Sequence, residues 1–151
     1  MASSVEKLAA IASSSDITHF KVPLVYVKGK TILTLNSANR MLFPQRMAVK
    51  NKYKKIIEPT ISKLPRFKTG HLHLIFQVVF CDRRFRDVDN QIFLTKYLQD
   101  SLVENKKLDD DKHVSFTFLP AINEPKNDEH YCEVTCIELG SNNYFEKIKD
   151  K

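Results

Sequence analysis

The stretch His71-Leu72-His73-Leu74-Ile75-Phe76-Gln77-Val78-Val79-Phe80 alternates with a period of two. Leu72, Leu74, Phe76, Val78 and Phe80 fall on one side, and His71, His73, Ile75, Gln77 and Val79 on the other. One wholly apolar side beside a mixed one predicts a strand with a single face on a core. The polar run Cys81 to Arg86 follows, and then Ile92, Leu94, Tyr97, Leu98 and Leu102 recur at helical spacing. That spacing predicts a helix through about Glu104, with Asp87 or Asp89 able to cap its start.

Working outward, Phe20 to Val27 and Thr31 to Leu35 are β-prone around Gly29 and predict a hairpin. Asn36 to Pro44 is polar and turn-rich. Val49, Tyr53, Ile56 and Ile57 recur at i, i+4, i+7 and i+8 and predict an amphipathic helix over 46–58. Lys50, Lys52, Lys54 and Lys55 then fall mainly on its wet side, and Pro59 is expected to stop or kink it. Val114 to Leu119 and Tyr131 to Leu139 predict two further strands, joined by a loop at 120–129. The order ββ-α-β-α-β-β lacks a regular βαβαβ repeat, so the expected fold class is α+β: a mixed β-sheet packed with helices in a single domain. Residues 1–20 form the expected flexible N-terminal arm, 21–140 the domain, and 141–151 a polar C-terminal tail.

At 151 residues, with 42% hydrophobic and 28% charged residues and only 3 Gly, the chain has enough apolar content for one core, which excludes disordered and collagen-like classes. No apolar run approaches the roughly 18–20 residues that span a bilayer, and Val5 to Ala12 is interrupted by Glu6 and Lys7. Three Cys, an odd number at low density, suit reduced thiols. A cytoplasmic protein without membrane association is therefore expected. The net charge of +6 conceals a partition. Residues 21–86 hold fifteen Lys or Arg against two acids, whereas residues 87–129 hold ten acids against five Lys. A basic part that grips a polyanion beside an acidic part that holds metal ions fits this layout, as does ordinary solvated charge.

The acids concentrate in Asp82-Arg83-Arg84-Phe85-Arg86-Asp87-Val88-Asp89-Asn90 and in Leu108-Asp109-Asp110-Asp111-Lys112-His113-Val114, with Lys96 and Asp100 on the helix between them. Asp87 and Asp89, two apart at an extended entry to a helix, project to the same side and can share a cation. Asp110 or Asp111 can complete the ligand set once the intervening helix folds back. Such carboxylates suit hard divalent cations that retain waters and bind substrate phosphate. Helix caps and turns also use Asp freely, but Arg83, Arg84 and Arg86 are mutually repelling neighbours that call for phosphates or acids to neutralise them.

This core, with Lys96, Asp100 and Leu102 and then Asp110-Asp111-Lys112-His113-Val114, resembles the RusA family of Holliday-junction resolvases. Leu35-Asn36-Ser37-Ala38-Asn39-Arg40 and the basic helix after it resemble the family's Asn- and Arg-bearing loop and first helix, so the similarity covers roughly residues 22–138. The resemblance implies a RusA-like fold and a homodimeric endonuclease of DNA recombination and repair. Such an enzyme depends on Mg²⁺, with Mn²⁺ as a substitute, and makes paired cuts in four-way DNA junctions. Carried over by position, Asp87, Asp89 and Asp111 match the family's essential acids as metal ligands, with Asp110 a further candidate. Lys96 matches its essential lysine when counted back from Asp100, whereas counting forward from Asn90 lands on Phe93, so three extra residues lie between. If those residues extend the helix, Lys96 shares a face with Asp89. The family's Gly before the acidic pair is replaced by Asn105-Lys106-Lys107. In this reading Arg83, Arg84 and Arg86 hold phosphates near the scissile bond, and Arg40, Lys50 and Lys54 contact the junction arms.

The alternative is a non-catalytic branched-DNA-binding or architectural protein that keeps the basic surface without the chemistry. Cys132 and Cys136 alternate on a strand some 13 Å apart by strand rise, too far for a disulfide, and are expected in the core. His71 and His73 lack partners at zinc spacing and are expected at a surface or interface, and Ile75 and Val79 on the same face are candidates to help build a dimer contact. No Gly-rich phosphate loop or nucleophile elbow is present, which excludes P-loop NTPases and α/β-hydrolases.

Overall fold

In the computed structural model, the structure describes residues 17–27, 31–32, 39–67, 71–84, 86, 92–109 and 114–139. Strand β4 (Leu72–Phe80) forms where the alternation predicts it, with Leu72, Leu74, Phe76, Val78 and Phe80 all fully buried. It pairs antiparallel with β7 (Tyr131–Glu138), and β7 pairs antiparallel with β1 (Ile17–Pro23). On its other side β4 pairs parallel with β5 (Val114–Phe118) and then, past Pro120, with β6 (Ile122–Asn123). The mixed sheet thus runs β1-β7-β4-β5, with β6 continuing beside β4. β2 (Val25–Val27) and β3 (Thr31–Ile32) pair as a small antiparallel ribbon.

Among the described residues two helices complete the single α+β domain: α1 (Phe43–Ser62) and α2 (Phe93–Glu104). They pack on the sheet side that carries Leu74, Phe76, Val134 and Cys136, and the core lies between. Cys132 and Cys136 are buried there as free thiols, and burial pushes both up to about 12. Tyr53 of α1, fully buried, donates its hydroxyl to the Pro23 carbonyl at 2.6 Å and so ties the helix to the end of β1.

Several expectations are corrected. The predicted first strand divides at Leu24: Ile17–Pro23 joins the main sheet, so residues 17–20 belong to the domain rather than to the arm, and only Val25–Val27 enters the hairpin. The first helix starts earlier, at Phe43, because Pro44 near its N-terminus sacrifices only an N–H that has no intrahelical partner. Gln45 Oε1 accepts from the Leu42 N–H at 3.0 Å and closes the first turn. The helix also passes through Pro59 to Ser62, so close to its end that little of the ladder is lost, and Ile61 is fully buried just beyond. The buried line is therefore Tyr53-Ile57-Ile61 at i+4 steps, with Val49 half-buried, while Ile56 is 39% exposed. Ile92, not Asp87 or Asp89, precedes α2 as its cap residue, and Thr95 closes that turn on the Ile92 carbonyl at 2.7 Å. β6 occupies part of the expected 120–129 loop. Val79 is buried within the chain between Tyr131 and Ile122 on the flanking strands, which leaves only Ile75 of the expected interface pair half-buried.

α2 ends in a Schellman turn: Lys107 N donates to Leu102 O at 2.9 Å and Lys106 N to Val103 O at 3.0 Å. Lys106 stands at the left-handed position, with φ 58°, where a glycine would be unstrained. A side chain there costs about 1 kcal/mol. The turn expected of the missing glycine forms all the same, and it delivers Leu108 into the core.

Candidate nucleic-acid and metal site

Immediately after β4 the chain is held at many points. The Asp82 carboxylate receives both Arg86 guanidinium nitrogens at 2.7 Å and the Arg84 N–H at 3.1 Å. Arg86 holds that carboxyl down at about 2. The Arg86 guanidinium also lies 4.7 Å over the Phe80 ring. Asn123 Nδ2 donates at 3.0 Å to the carbonyls of both Asp82 and Arg84, and Asn123 is itself seated by β6 pairing opposite Phe80. His130 Nδ1 accepts the Cys81 N–H at 2.9 Å, which leaves the proton of the neutral ring on Nε2, 3.9 Å from Asp82. Burial, and then the Arg86 charge, lower the His130 pKa from its ordinary value.

A second group of charges lies between the helices. Asp100 receives Lys50 at 2.9 Å and Lys96 at 3.3 Å, while Lys54 pairs with Glu104. Burial raises the Asp100 pKa, but the two lysines outweigh it and lower the carboxyl overall. Asp100 thus buttresses Lys96, whose side chain is 60% exposed, in the first turns of α2. Lys50 and Lys54, expected on the wet side facing DNA, have side chains only 23% and 16% exposed and are committed to α2. Lys52 and Lys55 remain exposed. Of the arginines, Arg40, Arg83 and Arg84 are exposed, whereas Arg86 is spent on Asp82. Asp109 pairs with Arg66.

Asp87, Asp89, Asp110 and Asp111 lie outside the described residues. The described residues that precede the two acidic runs sit at opposite ends of β4. Asp82 to Arg86 follow the last residue of β4, beside β6. Asp109, by contrast, precedes β5, whose Val114 pairs with Leu72 at the first residue of β4, and Lys107 O accepts there from Phe67 N at 2.8 Å. Between these two flanks α2 carries the chain over a rise of about 18 Å. Because α2 begins at Phe93, Asp89 lies before it, and helical spacing from Asp89 to Lys96 does not apply.

Among the described residues no group of three or more His, Cys, Asp and Glu is arranged to hold a metal ion. The described acids around the candidate site are neutralised: Asp82 by Arg86, Asp100 by two lysines, Asp109 by Arg66. The carboxylates that the sequence offers to a hard cation, Asp87, Asp89 and Asp111, are oxygen donors of the right chemistry and lie outside the described residues. His71 and His73 both bond to Ser115 Oγ, at 2.9 and 2.6 Å, so the sheet face uses them internally. Sequence reasoning missed Asp82, Asn123 and His130. Asn123 and His130 lie 41 and 49 residues from the residues they hold, and only the β4-β6 and β4-β7 pairings bring them there. Among the described residues, no helix is long and apolar enough to cross a membrane. No family model matches the chain, and no curated protein matches it.

Proposed function

We propose that the protein is a Mg²⁺-dependent endonuclease that cuts four-way DNA junctions as a homodimer. The observation that carries this reading is what flanks Asp87-Val88-Asp89. On one side is a braced strand end with exposed Arg83 and Arg84, and on the other the start of a helix that presents Lys96 beside Asp100. Basic groups for phosphate thus flank the carboxylates on both sides along the chain.

In this reading Asp87, Asp89 and Asp111 hold the cation. When bound, Mg²⁺ polarises the phosphoryl oxygen and lowers the pKa of the attacking water. Arg83 and Arg84 hold backbone phosphates, and Lys96, oriented by Asp100, offsets the charge that develops on the phosphoryl oxygens. As a homodimer, two copies related by a two-fold axis would present two such sites to two opposed strands.

The test is a labelled four-way junction incubated with the protein, with and without Mg²⁺. Cleavage should require the metal. Asp89→Asn should abolish it while junction binding is kept or tightened, because the variant loses a metal ligand and also a negative charge facing a polyanion. Full activity of that variant would remove Asp89 from the site. Metal-independent binding by a wild type that never cuts would favour the architectural alternative.

A further inference from the structure

Ion pairs fix how the two helices run. Lys50 meets Asp100 at 2.9 Å, and one turn further on Lys54 meets Glu104, so α1 and α2 lie side by side in the same direction with their N-termini at one end. Phe43 stands seven residues before Lys50, and Phe93 seven before Asp100. Seven residues are close to two turns, so both belong to the facing sides of the helices, about 10.5 Å beyond the ion pair. Phe93 is half-buried beside Tyr97, their ring centroids 5.9 Å apart. Phe43 is 66% exposed, Leu42 before it 72%, and Met47 and Ile92 are exposed as well. Leu42 and Ile92 occupy the cap positions, where they give no side-chain hydrogen bond, and neither helix has an acid in its first turn.

The charge around this apolar patch has one sign. Arg40 and Arg46 are exposed, and the Lys96 side chain is 60% exposed. Arg46 comes close enough to α2 that its charge offsets part of the rise that burial gives the Tyr97 hydroxyl. Both helix dipoles add partial positive charge at the same end. The acids of α2 are already held, Asp100 by Lys50 and Lys96 and Glu104 by Lys54. An apolar centre inside a cationic rim matches a ligand with flat apolar faces and a phosphate backbone. Four side chains suffice for one or two bases and are too few for a stable protein partner, whose interface takes about 20–30 residues a side.

We propose that the shared N-terminal end of α1 and α2 is a stacking platform for unpaired bases, with Phe43 as the ring that a base at the branch of a DNA junction rests on and Arg40 and Arg46 on the flanking phosphates. The inference rests on the junction-binding half of the endonuclease reading and uses neither the metal nor the acidic runs. It gives that reading a source of selectivity. A paired duplex keeps its bases stacked on one another, so an exposed ring reaches them only by unstacking a step, whereas a branch point offers bases with one face already open.

The experiment measures the affinity of the full chain in metal-free buffer for a four-way junction and for a duplex with the sequence of one arm, and follows the emission of 2-aminopurine placed at the branch or in mid-arm. Wild type should prefer the junction, and its binding should raise the emission at the branch and leave that in mid-arm unchanged. Phe43→Ala alters an exposed side chain and so leaves the fold in place. It should lower junction affinity about 10-fold, as the loss of one stacked base does, and remove the rise in emission, while duplex affinity stays within about twofold. Phe43→Trp should keep both the affinity and the rise. Wild-type affinity and emission in Phe43→Ala overturn the platform and leave junction binding standing. So does an equal loss on duplex and junction. A wild-type dimer that sediments as a monomer once Phe43 is replaced by Ala also overturns it, since the patch would then belong to a second copy. A wild type that binds no junction overturns the endonuclease reading, and the platform falls with it.

Discussion

Two basic clusters of this chain look equivalent in sequence and are used in opposite ways by the fold. Lys50 and Lys54 on α1 sit over α2 and are half-buried in ion pairs with Asp100 and Glu104. Beyond β4, Arg86 is neutralised by Asp82, yet Arg83 and Arg84 next to it stay exposed. Part of the charge in the basic half of the sequence is thus neutralised within the fold. Acids from the second half fold onto lysines of the first, and at ion-pair distance opposite charges cancel for any ligand farther away than they are from each other. The difference teaches that a count of charges along a chain sets an upper bound on the charges a polyanion can meet.

The largest expected effect separates the two clusters directly. If the endonuclease reading holds, Arg83→Ala with Arg84→Ala should reduce the slope of log affinity against log salt by about 1.8, at roughly 0.9 per phosphate contact. Junction affinity at low salt should drop by about tenfold. Lys50→Gln with Lys54→Gln should leave the slope unchanged. Fluorescence anisotropy over a salt series reads both. A lysine pair that flattens the slope as much as the arginines would break the comparison and restore α1 as a DNA-tracking face.

These different uses also mark what was legible in the sequence. The strand over 71–80 was legible because a half-buried strand writes its burial as strict alternation, and all five residues on its apolar side are fully buried. The α+β class was legible from the order of periodic segments. The register of α1 was not: the apolar pattern admits either Ile56 or Ile57, and only the sheet beneath selects the line through Ile57 and Ile61. Of the candidate site, Lys96 beside Asp100 was legible as an i, i+4 pair. The Asp82 brace was not, since Asn123 and His130 arrive from distant strands and leave no local pattern. Nor was the cost borne at Lys106, where cooperative closure of the helix end overrides a side chain's preference against positive φ.

A smaller effect tests whether the lysine cluster is structural. Asp100 carries two lysines on a side chain 18% exposed, so Asp100→Ala should destabilise the fold by about 1 kcal/mol, the exposed share of the pairs discounting the rest. For a domain of this size that is a fall in Tm of roughly 2–4 °C. Combined with Lys50→Ala in a double-mutant cycle, the coupling should be at least about 0.5 kcal/mol. A coupling of zero would mean that Lys50 is held by packing along its stem and that its charge is free after all.

The smallest effect compares the two carboxylates that do the neutralising. Asp82 has its pKa depressed from the ordinary 3.8 to about 2 by the Arg86 hydrogen bonds. A carboxyl depressed in the folded state stabilises it above the unfolded value, and that contribution disappears as pH falls from 3.8 through about 2. The urea midpoint of Asp82→Asn should therefore lie below that of the wild type by a constant margin at pH 5 and above, and the margin should close as the pH approaches 2. Asp100 is also lowered, but there burial works against the two lysines, whereas at Asp82 the Arg86 hydrogen bonds outweigh burial. Carboxyl carbon shifts followed by NMR should accordingly show Asp82 protonating well below the ordinary carboxylate range, at about 2. An Asp82 that titrates at its ordinary value would show that the bidentate contact does not persist in solution. In that case Arg86 would rejoin Arg83 and Arg84 as a charge available to DNA, and the two basic clusters would differ by three free arginines instead of two.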